Sequence, residues 1–595
     1  MKKRALLFFL IFSVSLLIVT SAKAPRLAGD GGEYLGMTVS FANHLGPDLT
    51  EKDIVKREEV IQANKLYWWE DGFNHFGYFK ALNGQEYSYH FWAYSLASTF
   101  VYKILDLFNL NLLSTFQITN ALLMILLLYW IIYRTKADKK AKTWLLLCYF
   151  LNPIWLYLPW THPEIFSFVF LFLGLLQHIQ KKRKSALLFI AIGSWQNPAI
   201  ALVALYICLL ELIDIFKNKK ILKRHIFAAM ISLSVFFPYA WYYIHYRMFS
   251  IIGDTYTGPI NLQKAISLFI DPNMGLIVYS PFLAICLVVF IFKRNKEALI
   301  GFIILGLMAL ICSVQLNWNS GMQFINRYSV WMIPVVIVFL ISAIKKLKNY
   351  KMWMTIHVVI SGAVLLGCLV TYSSYSYVKN SGFANLIYSS IPGLYNPPYD
   401  VFVERALGYE VSDYKESLPI ILATKDGVRK ALINENTIIT YTNSKNISLP
   451  TSRLFSLKSI AKESDIFKET NPNIFVSFLK GFYGLETNNE ISYRWMSKNS
   501  KLILFNNSSS LIKELEFDLV SFYEPRDCKI YLNNVEVFSG IIGSNALTHV
   551  KLQLDMEQFI KITFDSDKDV SPSDVLGAQD GRPLSLSISN LSINS

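Results

Sequence analysis

Long apolar runs alternating with short basic segments constrain this chain more than any other feature. The apolar residues come in runs of roughly 18 to 22, long enough to cross a bilayer as helices. Composition agrees: 53% of the residues are hydrophobic and 15% are aromatic, which is rich for a soluble protein. The net charge of +14 first suggests a nucleic-acid partner. The Lys and Arg gather between apolar runs, however, as they do in the cytoplasmic loops of membrane proteins. The reading therefore has no nucleic-acid partner and gives the chain a lipid bilayer instead.

The charge pattern also sets an orientation. Met1-Lys2-Lys3-Arg4 precedes the first apolar run, residues 5–22. Ala22-Lys23-Ala24 fits a signal-peptidase site, but Pro25 follows directly and opposes cleavage. The run is expected to remain as helix 1, with a cytoplasmic N-terminus. Residues 23–111 then form a long, mostly polar outer segment that includes the aromatic run 67–73. The stretch 91–108 is apolar, but counting it as a crossing would put the basic cluster 134–142 outside. It is expected to lie at the interface. Further crossings are expected at 112–133, 143–160, 164–180, 226–246, 276–292, 298–316, 328–344 and 353–372, with a short hairpin at 186–196 and 198–215. The loop 247–275 falls outside, and every basic loop falls inside. The count is about eleven crossings.

After residue 372 the long apolar runs stop. Residues 373–489 read as a linker and mixed region, with a turn-rich point at Asn396-Pro397-Pro398. From 490 to 595 short runs alternate polar and apolar residues, as in Leu515-Glu516-Phe517-Asp518-Leu519. Period-two alternation with regular turns predicts a β-sandwich, placed outside the cytoplasm by parity. Five of the six cysteines lie in apolar runs, and no spacing suggests zinc or a disulfide framework.

Three polar clusters share the outer face in this topology. Asp30, Glu33 and Tyr34 follow helix 1 in Gly29-Asp30-Gly31-Gly32-Glu33-Tyr34. A carboxylate beside lipid is costly unless it is solvated, paired or used. Thr161-His162-Pro163-Glu164 puts an imidazole and an acid in one outer turn, and Asn326-Arg327-Tyr328 puts a guanidinium at the boundary. His90 is a further candidate. A carboxylate base, an acid–imidazole pair and an anion-binding Arg suit transfer of a sugar from a lipid phosphate: the base takes the acceptor proton and the Arg holds the departing phosphate. Each cluster also has a structural reading. Thr-His-Pro-Glu is an ordinary helix start, Arg327 can snorkel, and Trp68, Trp69, Trp160, Trp318 and Trp331 suit an interfacial belt. No cofactor is demanded by the residues. A divalent metal on His162 and Glu164 is the one option they offer.

The layout resembles the GT-C class of lipid-linked-sugar glycosyltransferases, which includes the protein O-mannosyltransferases and the lipid A aminoarabinose transferases. Those families carry an Asp in the first outer loop, four residues before a Tyr, as Asp30 and Tyr34 are spaced here. They have a juxtamembrane helix before helix 2, where 91–108 lies, and an acidic motif after helix 3, where His162 and Glu164 fall. The resemblance covers residues 1–345. The usual Asp-Glu pair is replaced by Asp30-Gly31 with Glu33 displaced, and Tyr89-His90-Phe91 stands in place of a His-Pro-Pro-type motif. The C-terminal part, in its Tyr493-Arg494-Trp495 strand and closing Asp580-Gly581-Arg582-Pro583-Leu584, resembles β-sandwich modules appended outside some bacterial members, which implies a carbohydrate-binding or acceptor-presenting role; the alternative reading is a structural cap.

The resemblance implies a GT-C-like polytopic enzyme of the bacterial inner membrane. It would move a sugar from a polyprenyl-phosphate donor to a glycan, lipid or protein acceptor outside the cytoplasm. Asp30 would be the base, assisted by Glu33. Tyr34, His90, His162 and Glu164 would orient the acceptor or a metal, and Arg327 would hold the donor phosphate. The alternatives are a flippase or transporter of lipid-linked glycans and a polysaccharide polymerase or ligase. The helix interiors are nearly free of charge, which disfavours a transport path.

Overall fold

The computed structural model describes residues 2–27, 29–64, 75, 77–219, 223–255, 257–344, 349–371, 377–408, 410, 420–424, 427–435, 438–442, 474–478, 481–488, 491–506, 511–544, 546–556, 559–576 and 580–594. The aromatic run 67–73 and the basic residues 345–348 lie outside these. The chain divides into two compact units, one ending at Ser376 and the other running from Tyr377 to Ser595.

The first unit is helical. After α1 (Lys2–Ala22) come α2 (Gly31–His44) and α3 (Glu51–Ala63), a hairpin of β1 (Tyr78–Lys80) and β2 (Glu86–Ser88), and α4 (Ala93–Leu107). Residues 23–111, expected from the sequence to lie outside, are therefore structured over much of the described part of their length. Asp53 makes its α2–α3 corner, accepting from Asn43 Nδ2 at 2.7 Å and from the Thr50 hydroxyl at 2.6 Å. The remaining helices are α5 (Thr115–Tyr129), α6 (Lys139–Phe150), α7 (Glu164–Ile179), α8 (Arg183–Gln196), α9 (Ala201–Asn218), α10 (Lys223–Leu233), α11 (Phe237–Tyr246), α12 (Ile251–Thr255), α13 (Leu262–Ile270), α14 (Leu276–Tyr279), α15 (Phe282–Lys293), α16 (Lys296–Cys312), α17 (Arg327–Ile344) and α18 (Tyr350–Thr371).

Among the described residues, five helical stretches are long and apolar enough to cross a membrane: Lys3–Ala22, Leu112–Arg134, Pro198–Lys217, His225–Tyr246 and Tyr350–Thr371. Glu164–Ile179 and Arg327–Ile341 are apolar but shorter. Some expected crossings are interrupted. The run expected at 143–160 leaves the α-helix at Phe150, and a 3-10 turn follows at Pro153–Tyr157. Pro153 disfavours helical geometry in the residue before it, and Asn152 Oδ1 accepts from Ile154 N at 2.9 Å. The run expected at 276–292 breaks at Ser280-Pro281, whereas that at 226–246 stays helical through a 3-10 turn, Ser234–Phe236, just before Pro238. By contrast, the stretch expected to lie at the interface forms one unbroken helix, α4, with two unlike sides. It exposes Leu96, Phe100, Ile104 and Leu107 along one side and buries Tyr94, Ser98, Val101 and Tyr102 on the other.

The second unit begins with α19 (Gly382–Ser390) and α20 (Tyr399–Leu407), which pack with an antiparallel sheet of β3 (Ile420–Thr424), β4 (Gly427–Glu435) and β5 (Ile438–Thr442). The other strands are β6 (Ile474–Phe478), β7 (Phe482–Asn488), β8 (Ile491–Met496), β9 (Asn499–Asn506), β10 (Ile512–Ser521), β11 (Arg526–Leu532), β12 (Val535–Ile542), β13 (Thr548–Met556), β14 (Phe559–Ser566) and β15 (Leu586–Asn594). They form two five-stranded sheets ordered β13-β10-β15-β8-β7 and β12-β11-β14-β9-β6. The expected β-sandwich is present, but it draws β6 and β7 from before residue 490, so the mixed region is not all linker. The alternation of β10 puts Leu515, Phe517 and Leu519 into one core with Ile530, Ile562, Phe564 and Ile588.

Candidate active site

The site grows from three helix starts in the first unit. Asp30 is the N-cap residue of α2, Glu164 opens α7 and Arg327 opens α17. A helix N-terminus presents unpaired N–H groups and the positive end of the helix dipole. Bringing three together creates a region that favours negative charge.

Two glycines let the Asp30 turn come close. Gly29 has φ +51°, and a Cβ there would sit 3.4 Å from the His162 ring. A Cβ on Gly31 would collide with Thr161 Oγ1 and sit 3.0 Å from Leu27 Cδ1. The glycines beside Asp30 thus press the turn onto Thr161-His162. From the other side, Asn120 on α5 donates to the Trp160 carbonyl at 2.8 Å and accepts from Tyr94 Oη at 3.0 Å. The His90 segment is tied down by Tyr242, whose hydroxyl reaches the carbonyls of Ser88 at 2.6 Å and His90 at 2.8 Å. Arg327 is steered by its own turn: Nη2 donates to the Asn317 carbonyl at 3.2 Å and to Tyr328 Oη at 3.1 Å.

The outcome is a carboxylate ringed by cationic or basic groups. Asp30 Oδ2 lies 3.3 Å from His90 Nε2, 3.8 Å from His162 Nδ1 and 3.6 Å from Arg327 Nη1. The Asp30 side chain keeps 26% of its surface exposed, against 12%, 3% and 15% for those three. Burial pushes the Asp30 carboxyl up, but the charges of His90, His162 and Arg327 outweigh it and hold the group well below the usual carboxylate range. Tyr34 stacks on His90 with ring centroids 5.1 Å apart, and Trp160 stacks on His162 at 4.4 Å. Aromatic walls of this kind fix imidazole orientation and exclude water.

The other expected residues fall into place around this ring. Glu164 is buried and interacts with Arg327 and Asp30. Glu33 is fully buried one helical turn into α2. Burial and the Asp30 charge push its carboxyl well above the usual range, opposed by Arg57 and Tyr89. Arg57, Asn120 and Tyr242 were not singled out in the sequence. Only Asn120 carried a signal, as an amide inside the apolar run 112–133.

Metal-ligating atoms converge at a place other than the expected pair His162 and Glu164. Among the described residues, one atom each of Asp30, Glu33 and His90 lies within 4.8 Å of the others. Two carboxylates and an imidazole suit a divalent ion with mixed N/O preference, and both Glu33 oxygens are buried. The three residues fit such an ion.

No family model and no curated protein matches the chain. Solved structures of family 29 carbohydrate-binding modules are similar to part of it. A point mutant made to probe ligand recognition aligns over 22% of this chain and 89% of its own, at 19% identity and a TM-score of 0.15. Another, described as a carbohydrate-binding module of family 29, aligns over 20% of this chain and 86% of its own, at 17% identity and a TM-score of 0.13. Likeness at these scores carries no argument about this chain.

Proposed function

We propose that this chain is an integral membrane glycosyltransferase of the GT-C kind. It moves a sugar from a polyprenyl-phosphate donor to an acceptor outside the cytoplasm. One observation carries the reading: Arg327, His90 and His162 surround Asp30 where three helix N-termini meet. That arrangement offers a base and an anion hold at the same point, beside helices apolar enough to contact a lipid chain.

The chemistry balances without a further reactant. The acceptor O–H or N–H attacks the anomeric carbon, and the bond from that carbon to the phosphate oxygen breaks. The proton passes to Asp30, and the lipid phosphate leaves with the electron pair, its charge held by Arg327. Attack opposite the leaving group inverts the anomeric centre.

His90 first, then His162 and Arg327, hold the Asp30 pKa down, which makes it a weak base in the free site. A phosphate that engages Arg327 draws that cation's field away, and loss of a neighbouring positive charge raises a carboxylate pKa. Donor binding and base activation are coupled in this way. Glu33, buried behind Asp30, supplies no second anion while it holds its proton. His162 and Glu164 line the acceptor side. A divalent ion on Asp30, Glu33 and His90 would add charge to hold the acceptor or the phosphate.

The test is Asp30→Asn in proteoliposomes supplied with a polyprenyl-phosphate sugar and an acceptor. Transfer should fall by about 10² to 10⁴, the usual contribution of a positioned general base, with insertion unchanged. Transfer at the parental rate would remove the mechanism.

A further inference from the structure

The second five-stranded sheet carries a groove of about 260 Å³ on its outer face, lined by Asn499, Lys501, Tyr531, Thr563 and Asp565. The register explains why these five meet. On the adjacent strands β9 and β14, Asn499 stands opposite Asp565 and Lys501 opposite Thr563. On β11, Tyr531 stands opposite Thr563. The alternate residues Leu502, Ile530, Ile562 and Phe564 belong to the sandwich core, so period two turns the five outward.

The side chains are free to take a ligand. Their backbones are taken up by strand pairing, but among the described residues no side-chain hydrogen bond or ion pair engages any of the five. Tyr531, Thr563 and Asp565 are half-buried, while Asn499 and Lys501 are exposed. The local charge is positive. Lys561 and Lys379 both act on Lys501, whose ammonium is held below the ordinary lysine value first by partial burial and then by those two charges. Asp565 is the one carboxylate among the lining residues.

We propose that this groove binds a short acidic glycan, with one sugar ring on Tyr531 and a sugar carboxylate at Lys501. A pyranose offers an apolar C–H face and a rim of hydroxyls. Tyr531 supplies a rigid apolar face at low entropic cost. Asn499, Thr563 and Asp565 supply the donors and acceptors that hydroxyls need, and the lysines select an anion. Three adjacent strands present these groups over about 10 Å, which exceeds one ring. A protein partner would call for an apolar centre free of charge, and here each of the five lining residues carries a polar or charged group.

Isothermal titration of the full-length protein in nanodiscs tests this with three probes: trigalacturonate, cellotriose and inorganic phosphate. Trigalacturonate should bind at least about tenfold more tightly than cellotriose. Lys501→Glu and Tyr531→Ala should each weaken it by about tenfold or more, while Lys513→Glu, an exposed change on the other sheet, should leave it unaltered. Lys501 is exposed, so its replacement does not threaten folding. Absence of trigalacturonate binding, equal binding of cellotriose, or insensitivity to Tyr531→Ala would overturn the proposal. Phosphate binding as tightly as the glycan would reduce the groove to a bare anion site and overturn it too. Binding is read without sugar transfer, so failure here leaves the transferase reading standing.

Discussion

The two units place their polar groups in opposite ways. Around Asp30 the titratable groups are largely buried, mutually engaged within 4 Å and locked by aromatic stacking. In the sandwich groove the polar side chains lie on the surface of a sheet whose other face is an ordinary apolar core. The first arrangement is preorganised for charge that develops in a reaction, and every member depends on its neighbours. The second is a rigid platform with independent contacts. Changes near Asp30 should therefore disturb function out of proportion to stability, and changes in the sandwich core the reverse.

The largest stability effect is expected in the sandwich. Phe517 is fully buried and meets Phe564 with ring centroids 5.7 Å apart. Phe517→Ala should cost about 3 to 5 kcal/mol, seen as a lowered β-sheet melting transition. Preserved melting would mean that the two sheets are not one cooperative core. Asp30→Asn should leave that transition where it is while abolishing most transfer, and this pairing gives the sharpest contrast between the units.

A smaller effect is expected at Gly29. With φ at +51° and the His162 ring 3.4 Å from where a Cβ would stand, Gly29→Ala should cost about 1 to 2 kcal/mol for the left-handed backbone. It should also slow transfer, because the turn that carries Asp30 must back away from His162. Kinetics on the folded variant decide the matter: a parental rate would show that the close approach is structural packing alone.

Much of this architecture was legible in the sequence, and the misses share a cause. Period-two alternation revealed the sandwich because β10 reads almost residue by residue as in and out. It missed β6 and β7, whose assignment depends on pairing with β9 and β8. Hydropathy located the apolar helices but ran through Asn152-Pro153 and Ser280-Pro281, where local backbone chemistry interrupts long runs. Charge parity led to the expectation that Asp30, His162, Glu164 and Arg327 share one face, and the structure brings the four together. Parity could not show that His90, held by Tyr242 from about 150 residues away, would come nearest to Asp30. Nor could it separate Glu33 from Asp30, since one turn of helix takes a side chain from a partly open cap to full burial.

That separation predicts opposite pH behaviour for the two carboxylates. Asp30 has a depressed folded pKa, so its stabilising contribution is complete at neutral pH and is lost only as pH falls below the usual carboxylate range. Glu33 has a raised folded pKa. Between the ordinary carboxylate range and that raised value the folded state holds a proton that the unfolded state has lost, so stability falls as pH rises. Glu33→Gln keeps the shape of the protonated acid and cannot ionise. Melting temperatures of the parent and Glu33→Gln should therefore diverge as pH rises above the ordinary carboxylate range, the variant becoming relatively more stable toward the alkaline end. Parallel curves would mean that Glu33 is ionised and paired, and its place behind Asp30 would then be that of a second anion.

The smallest effect belongs to the groove. Lys501 is exposed and its neighbours Lys561 and Lys379 carry the same charge. Removing one of three like charges relieves repulsion, and an exposed site away from core, cap or network rarely changes stability by more than about 0.5 kcal/mol. Lys501→Gln should therefore melt within that margin of the parent, on the stabilised side, and the gain should shrink as added salt screens the lysines. A clear destabilisation would show that the ammonium holds the sheet together. The contrast between a locked site and an open platform would then fail at the residue on which the platform most depends.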